Sequence, residues 1–347
     1  MVMEIMRESI FVTAVRSFCR SFFALCGIFL ALAFGLIIYS MIASPYALEQ
    51  KTELKILPDL KGSRMMVSAA APVVLHIDVQ GIIGEPGKLD ADSFLNILLD
   101  SRTGLLAGDR VKAIFVYFNT PGGGAVDSDS MYRLLKKYKE KYQVPVYGYV
   151  EGLCASGGMY IACATDRIYA SATSVIGSVG VLSGPFFNFS DAMARYGVQG
   201  KLLSEGTDKT AMNPFEPWKP GDSDNIQAIM LSMYNRFVDV VTSARPQLTR
   251  AKLVDQYGAR VYDATLAQQY GYIDVADADH DMALAALLEA AKIDPEKPYQ
   301  VVQLEPRHSL LSELVQGEST CARKLVCDLL GIPSFQIQEP YAYLYKP

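Results

Sequence analysis

An uncharged run of 22 residues near the N-terminus constrains this chain more than any other feature. It covers residues 22–43, with the sequence FFALCGIFLALAFGLIIYSMIA. A helix rises about 1.5 Å per residue, so a run of this length crosses the roughly 30 Å hydrocarbon core of a bilayer. A cleaved signal peptide has a shorter apolar stretch of about 7–15 residues. We therefore predict a retained transmembrane anchor, although the small residues Ala43 and Ser44 leave cleavage open.

Basic residues precede this run and set its expected orientation. Arg7, Arg16 and Arg20 lie on its N-terminal side. The positive-inside rule then keeps residues 1–21 in the cytoplasm and exports the chain beyond the apolar run. We expect a single-pass protein of the inner (cytoplasmic) membrane. Residues 44–70 are predicted to form a linker to a periplasmic or equivalent extracytoplasmic domain.

Charge and metal-binding residues exclude several classes of protein. The formal net charge of −5 gives no reason to expect nucleic acid as a partner. His76, His280 and His308 are too scattered for a typical metal site, and no cofactor is expected. The six cysteines contain no CxxC pair, which excludes a zinc ribbon. Cys321 and Cys327 either form a disulfide in an oxidising compartment or remain free thiols.

Apolar segments alternate between strand and helix patterns over the middle of the chain. Strands are predicted at 73–79, 111–118, 144–150 and 167–171. Helices are predicted at 127–142, 156–164 and 278–292, with a long one capped by Asp222 or Ser223 and ending near Arg245. This order indicates an α/β domain with largely parallel pairing over residues 71–298. Residues 299–347 have no clear fold.

A serine stands at one of the predicted strand-to-helix junctions. Ser156 lies within EGLCASGGMY, residues 151–160, and is flanked by small residues. This arrangement exposes its Oγ at a helix N-terminus, where the Gly157 N–H and the helix dipole stabilise an oxyanion. The alternative is an ordinary N-cap serine.

A glycine-rich segment, NTPGGG at 119–124, directly follows another predicted strand. Glycines let the backbone turn sharply and direct bare N–H groups at a ligand. An ordinary strand-to-helix turn explains this motif equally well.

A reactive serine needs a base, because its hydroxyl is a poor nucleophile near neutral pH. His76 lies inside an apolar strand and His280 in the acidic stretch DADHD, so neither has an obvious carboxylate-supported setting. A lysine acts as a base only when it is neutral, so its pKa has to fall from about 10.4 by desolvation. Lys209, in GTDKTAMNPF at 206–215, is a candidate that by itself looks like an ordinary surface charge.

Taken together, five blocks of sequence resemble the signal peptide peptidase A family in order and spacing. They are VKAIFVYFNTPGGG (111–124), ASGGMYIACATDRIYAS (155–171), SVIGSVGV (174–181), DKTAMNPF (208–215) and RVYDATLAQQYGYID (260–274). The resemblance covers roughly residues 70–295. It implies the fold shared by ClpP and crotonase, an α/β fold of repeated strand-strand-helix units.

The resemblance also implies roles for individual residues. Ser156 matches the nucleophile, Lys209 the general base, and Ser178 the serine that orients the lysine. The N–H groups of Gly122 and Gly157 match the oxyanion hole. The implied activity is that of a membrane-anchored serine endopeptidase acting on hydrophobic peptides such as remnant signal peptides.

The resemblance has a consequence for assembly as well. The family's half-length members, which this chain matches in length, form dome-shaped octamers whose active sites join residues of adjacent subunits. By that analogy this chain is a homo-octamer, and Lys209 completes the Ser156 site of a neighbour.

The sequence departs from the family pattern at two positions near the site. Met159 stands where an aromatic residue is common, and Asp208 precedes the lysine where a neutral residue is usual. A carboxylate facing Lys209 would raise the lysine pKa. In a strand, neighbouring side chains point to opposite faces and the conflict disappears. Lys201 is a rival base and Cys154 a rival nucleophile, but both lie off the motif positions.

Two other functions are compatible with this fold. One is a non-proteolytic membrane-associated scaffold, against which the intact set of Ser156, Ser178 and Lys209 argues. The other is an acyl-CoA enzyme of the crotonase type. Its usual acidic catalytic residues are not evident, and an exported domain would lack coenzyme A.

Overall fold

The computed structural model describes residues 10–43, 52–68, 70–86, 88–306 and 342–344. The chain divides into two units, Met1–Lys51 and Thr52–Pro347. His308, Cys321 and Cys327, which the sequence analysis considered, lie outside the described residues.

The first unit is a single long helix, α1, Ile10–Ala43. Within the described residues one stretch, Ala14–Leu32, is long and apolar enough to cross a membrane. Its large apolar side chains are exposed, as shown by Phe23 at 71% and Leu30 at 72%. The predicted span 22–43 lies in the same helix and overlaps this stretch. Exposed apolar side chains along a helical stretch of this length are typical of a segment that is buried in lipid.

The second unit is built on a sheet whose strands follow the order β1-β8-β2-β3-β4-β6-β7, with β5 paired to β4 and β9 paired to β3. The strands are β1 Thr52–Leu57, β2 Val73–Ile83, β3 Val111–Gly124, β4 Val146–Ala155, β5 Arg167–Ala170, β6 Val175–Gly177, β7 Val261–Asp263, β8 Gln300–Pro306 and β9 Ala342–Leu344. The central pairs β8–β2–β3–β4 and β4–β6 are parallel. The predicted α/β class with largely parallel pairing is therefore confirmed.

Helices connect and cover these strands. They are α2 Ala91–Asp100, α3 Ala125–Tyr142, α4 Gly157–Ala162, α5 Ser190–Arg195, α6 Asp224–Ala244, α7 Ala264–Tyr270 and α8 His280–Ala290, with a 3₁₀ turn at Gly104–Leu106 and a π-helical turn at Lys252–Tyr257. The predicted helices correspond to α3, α4, α6 and α8. Ser223 stands at the N-cap of α6 but makes no side-chain capping bond.

Both faces of the central strands are covered, which explains their continuous apolar sequences. On one face, Ile77 and its neighbours form a core cluster with Met131 of α3 and Ile161 of α4. On the opposite face, Phe115 forms a second cluster with Leu284 of α8. Side chains alternate along a strand, so each strand contributes to both clusters. Helices α4 and α8 consequently lie on opposite sides of the sheet.

The sheet extends beyond the limits expected from the sequence at both ends. β1 lies in the predicted linker and β8 lies beyond residue 298, yet the two pair antiparallel along their whole length, from Thr52↔Pro306 to Leu57↔Val301. β8 then joins the parallel sheet through β2. The sequences of β1 and β8 do not by themselves predict strands. Each strand is defined by its pairing with the other, and that pairing is too distant in sequence to produce a local pattern.

We predict that removing the N-cap of α8 destabilises the second unit. The Asp279 side chain accepts a 2.7 Å hydrogen bond from the backbone N–H of Met282. Asp279→Ala leaves that N–H unpaired and should lower the free energy of unfolding by about 1 kcal/mol, measured by chemical denaturation.

Glu289→Ala is the matched control, because Glu289 is exposed and lies at the opposite end of α8. A carboxylate near a helix C-terminus opposes the helix dipole, so its removal should not destabilise the protein. Equal losses of stability in the two variants would contradict the capping role.

Candidate active site

Ser156 occupies a strained turn between β4 and α4. Its backbone angles are φ 54° and ψ −115°, and its exposed fraction is 1%. Non-glycine residues rarely adopt a positive φ, and such a conformation costs about 1–3 kcal/mol. The Ser156 side chain makes no capping hydrogen bond to α4. Ser156 is therefore not an ordinary N-cap serine, and its hydroxyl is left for another use.

The neighbouring strand β6 fixes the position of this turn. Ala155 pairs with Gly177 in the parallel β4–β6 ladder, and the Ser156 N–H donates a 2.9 Å hydrogen bond to the Gly177 carbonyl. Ser178 follows Gly177 directly and is itself buried with a φ of 55°. Its N–H donates to the Arg260 carbonyl at 2.7 Å. Ser156 and Ser178 thus lie side by side at the carboxyl ends of adjacent parallel strands.

The NTPGGG segment forms the end of β3, where the sequence analysis expected a turn after residue 118. Close packing explains why positions 123 and 157 are both glycine. A Cβ at Gly123 would lie 1.9 Å from the Ile83 carbonyl oxygen. A Cβ at Gly157 would lie 2.4 Å from Ser128 Oγ and 3.3 Å from the Gly123 nitrogen. The start of α4 therefore packs directly against the end of β3.

The structure offers three backbone amides near the turn for oxyanion binding. Gly157 is the first residue of α4, so its N–H has no acceptor within the helix. The Gly122 N–H instead donates a 3.0 Å bond to Thr120 Oγ, which in turn donates to the Gly81 carbonyl. Gly123, which the sequence analysis overlooked within the same glycine run, has its amide nitrogen against Gly157. The role of Gly122 remains a prediction, and its amide is already engaged.

Lys209 is not brought to Ser156 within the chain. It lies exposed in a turn, and its amino group forms no hydrogen bond or ion pair with any residue that the structure describes. Asp208 and Lys201 are also exposed. Asp208 has a φ of 59° within this turn, so the strand that would have directed the two side chains apart is not formed.

Lys209 lies in a long segment between β6 and α6. We call this segment, residues 182–222, the arm. It includes α5, and none of its residues is buried. Its exposed large apolar residues are Leu182, Phe186, Phe187, Phe189, Tyr196, Val198, Leu202, Leu203, Phe215 and Trp218. An uncovered apolar surface of this kind is typical of an interaction site.

A buried hydrogen bond connects α4 to α3. Tyr160 is fully buried, and its hydroxyl donates a 2.7 Å hydrogen bond to Asp129 of α3. The same carboxylate accepts a 2.7 Å ion pair from Arg236 of α6. Asp129 thereby connects α4 to α6, the helix that comes after the arm.

The alternative base His76 and the alternative nucleophile Cys154 lie in positions that do not suit catalysis. His76 stacks on Phe115, with ring centroids 5.6 Å apart, and its Nε2 lies 2.8 Å from Asp78. This histidine belongs to the α8 side of the sheet, opposite α4. Cys154 is fully buried, and burial raises the pKa of its thiol, which disfavours the reactive thiolate. No group of residues able to hold a metal ion occurs in the described part of the chain.

The Ser156 hydroxyl lies in a strained turn and does not cap α4. A serine in such a turn, beside the glycine-rich end of β3 and at the carboxyl ends of parallel strands, is an arrangement typical of an α/β serine hydrolase. Comparison with known proteins agrees, because residues 138–294 match Peptidase family S49. This match to a peptidase family model and the relatives described next confirm the resemblance noted from the sequence.

Individual relatives support the match to a peptidase family, but the chain covers only part of the length of each. A protein of Enterococcus faecium, provisionally named signal peptide peptidase SppA, is 31% identical over 63% of this chain and 64% of its own length. Protease 4 of Haemophilus influenzae is 25% identical over 74% of this chain and 42% of its own length. A protein of Brucella melitensis named Na(+)/H(+) antiporter NhaA is 32% identical over 51% of this chain but only 24% of its own length.

The chain therefore spans a quarter to about two thirds of these relatives. Among solved structures, a mutant of ClpP1 from Listeria monocytogenes superposes with a TM-score of 0.40 at 15% identity, covering 60% of this chain and 94% of that one. A score at this level carries no argument of its own.

We predict that the strain at Ser156 is measurable. Its φ and ψ angles lie in a region that glycine adopts without strain. Ser156→Gly should therefore unfold at a higher temperature than Ser156→Ala, with a difference in stability of about 1 kcal/mol. Differential scanning calorimetry of the two variants measures this difference. An Ala variant as stable as the Gly variant would show that the turn is not strained.

Proposed function

We propose that this chain is a membrane-anchored serine endopeptidase in which Ser156 is the nucleophile and Lys209 is the general base. The observation that carries the proposal is the buried, uncapped serine in a strained turn, within a region that matches a peptidase family. Strain and burial at a hydroxyl with no structural hydrogen bond are features of a functional group.

The reaction can be derived from the groups around this turn. Neutral Lys209 takes the Ser156 proton as Oγ attacks the substrate carbonyl. The Gly157 amide and an amide of the glycine run stabilise the resulting oxyanion. Protonated Lys209 then gives its proton to the leaving amine, and water hydrolyses the acyl-enzyme. Ser178, beside Ser156 in the parallel ladder, is positioned to orient the lysine.

The mechanism requires Lys209 to be neutral, because an exposed ammonium group is not a base at neutral pH. We infer that assembly of subunits meets this requirement. The arm carries both Lys209 and an uncovered apolar surface. A neighbouring subunit that covered the arm would bury the apolar groups and desolvate the lysine amine. We therefore propose a homo-oligomer, by family analogy an octamer, in which Lys209 of one subunit serves Ser156 of the next.

Location and substrate are inferred from the first unit and from the relatives. Helix α1 would hold the protein in the inner membrane, with the catalytic unit on the extracytoplasmic side. This would keep the active site next to hydrophobic peptides left in the bilayer, such as remnant signal peptides. The relatives named signal peptide peptidase and protease 4 support a peptide substrate.

A non-proteolytic scaffold of the same fold is the alternative. It would use the exposed arm to bind other proteins and leave Ser156 idle. A strained serine whose hydroxyl does not cap the following helix would then have no function to maintain it, which favours the enzyme.

We predict that Ser156 and Lys209 are each essential for catalysis and that neither is required for folding. Ser156→Ala and Lys209→Ala should each lower cleavage of a hydrophobic peptide by at least about a thousand-fold, because the two groups act as a unit. Cleavage is measured by mass spectrometry, and labelling by a fluorophosphonate probe reports Ser156 directly. Circular dichroism should show both variants folded.

Lys201→Ala is the matched control, since Lys201 is an exposed lysine of the same arm. Its activity should equal that of the unaltered chain. Full activity in Ser156→Ala or Lys209→Ala would refute the dyad, and absence of probe labelling in the unaltered chain would favour the scaffold.

We also predict that two inactive variants restore activity when they are mixed. If Lys209 acts across subunits, a Lys209→Ala subunit keeps its Ser156 and receives a lysine from a Ser156→Ala neighbour. Random mixing in a closed ring should restore about a quarter of the sites. Activity is measured after the variants are co-expressed. A co-expressed mixture that stays inactive would place the lysine and serine of each site within one subunit.

A further inference from the structure

Helix α4, which begins directly after Ser156, depends on its neighbours for its position. It has only six residues, and a helix this short is not stable by itself. Its first hydrogen bond runs from the Tyr160 N–H to the Ser156 carbonyl, at 3.0 Å. Any contact that holds the Tyr160 side chain therefore acts one helical turn away from the serine.

The Tyr160 side chain is enclosed between α3 and α6. It is fully buried, and its ring meets the ring of Tyr132 of α3 edge to face, with centroids 5.4 Å apart. The ring of Phe237 of α6 lies 4.9 Å away, centroid to centroid. Packing holds the ring, and the hydroxyl needs a hydrogen-bond partner because it is buried. The choice of that partner fixes where α4 sits against the other two helices.

Asp129 of α3 is that partner, and a second helix shares it. Its Oδ1 accepts a 2.7 Å hydrogen bond from the Tyr160 hydroxyl. The same oxygen lies 2.9 Å from Nε and 2.7 Å from Nη2 of Arg236, on α6. Its Oδ2 pairs at 2.8 Å with Nε of Arg133, one turn along α3. Hydrogen bonds to an ionised acceptor are stronger than neutral ones, so one carboxylate fixes α4 and α6 to α3 together.

Arg236 also lies on the helix that continues from the arm. Helix α6 begins at Asp224, just after the arm, and Arg236 is about three turns further along it. A helix moves as a rigid element, so a displacement of its first turn reaches Arg236. The contacts from α6 through Asp129 to Tyr160 therefore form a continuous physical connection between the arm and the serine.

We propose that Tyr160 and Asp129 are positioning residues for Ser156, and that Arg236 couples the position of the serine to α6 and the arm. The proposal rests on the proposed function, in which Ser156 is the nucleophile. A shift of α4 moves the Ser156 hydroxyl and the Gly157 amide together. Misplacing reacting groups by about 1 Å can cost about a hundredfold in rate. The loss falls on kcat, because the substrate contacts that set KM are not made by these side chains.

A pair of tyrosine variants of the full-length protein tests the positioning role. Tyr160→Phe keeps the ring contacts and removes only the hydroxyl. Tyr138→Phe is the matched control, because Tyr138 is a buried tyrosine of α3 whose hydroxyl accepts a 2.6 Å hydrogen bond from Arg102. Both variants lose one bond to a charged partner, so their Tm values should fall by similar amounts.

Tyr160→Phe should lower kcat for a hydrophobic peptide at least about tenfold and leave KM unchanged, whereas Tyr138→Phe should keep both constants. An unchanged kcat in Tyr160→Phe, or an equal fall in the control, would overturn the positioning role.

Two arginine variants test the coupling to α6. Arg236 and Arg133 both bind Asp129, and both side chains are more than half exposed, so neither should be required for folding. Arg236→Gln should lower kcat about threefold, and Arg133→Gln, which leaves the bond between α3 and α6 intact, should not. Adding Arg236→Gln to Tyr160→Phe should lower kcat no further, since both act through Asp129. Equal effects of the two arginine variants, or independent effects in the double variant, would refute the coupling.

Hydrogen exchange separates this inference from the catalytic proposal. Amide exchange of a peptide covering residues 156–162 is measured by mass spectrometry in the unaltered chain and in both tyrosine variants. This peptide should exchange at least about tenfold faster in Tyr160→Phe than in Tyr138→Phe. Equal exchange in the two variants would show that the Tyr160 hydroxyl does not hold α4. Absence of peptide cleavage by the unaltered chain would instead refute the proposed function and leave the exchange result valid.

Discussion

The parallel pairing of β4 with β6 is the constraint on which the candidate site depends. It holds the Ser156 N–H on the Gly177 carbonyl and so keeps the serine at a positive φ that it would not adopt alone. The same register brings Ser178 beside Ser156. Glycines at 123 and 157 then let β3 and α4 approach closely enough to leave backbone amides near the hydroxyl. Loss of this ladder would disperse the serines and the amides together.

In the proposed mechanism, catalysis depends on assembly because Lys209 has to be neutral to act as a base. A lysine is a base only where water is removed, and Lys209 lies on an arm without buried residues. In the proposed oligomer, a second copy of the chain would cover both the arm's apolar surface and its lysine. The glycine-rich end of β3 pairs with β2 and β9.

Several features could be predicted because they have local causes. The strands β2, β3 and β4 are buried on two faces and appear in the sequence as continuous apolar runs, while α3 shows a helical stripe. Ser156 was selected as the candidate nucleophile from its small neighbours and from the blocks around it, and its catalytic role stays a prediction. β1 and β8 were missed because each gains its place only by pairing with the other across the length of the second unit. The occupied Gly122 amide and the proximity of Gly123 depend on packing distances that no motif encodes.

The sequence by itself determined the apolar N-terminal helix and the α/β class, since each depends on periodicity or composition within a short window. Only the tertiary structure decided that Ser156 is strained and uncapped, that Ser178 lies next to it, and that Lys209 stays exposed. Those properties arise where segments distant in sequence meet. Register between strands, and not the pattern within any one strand, fixes which groups become neighbours.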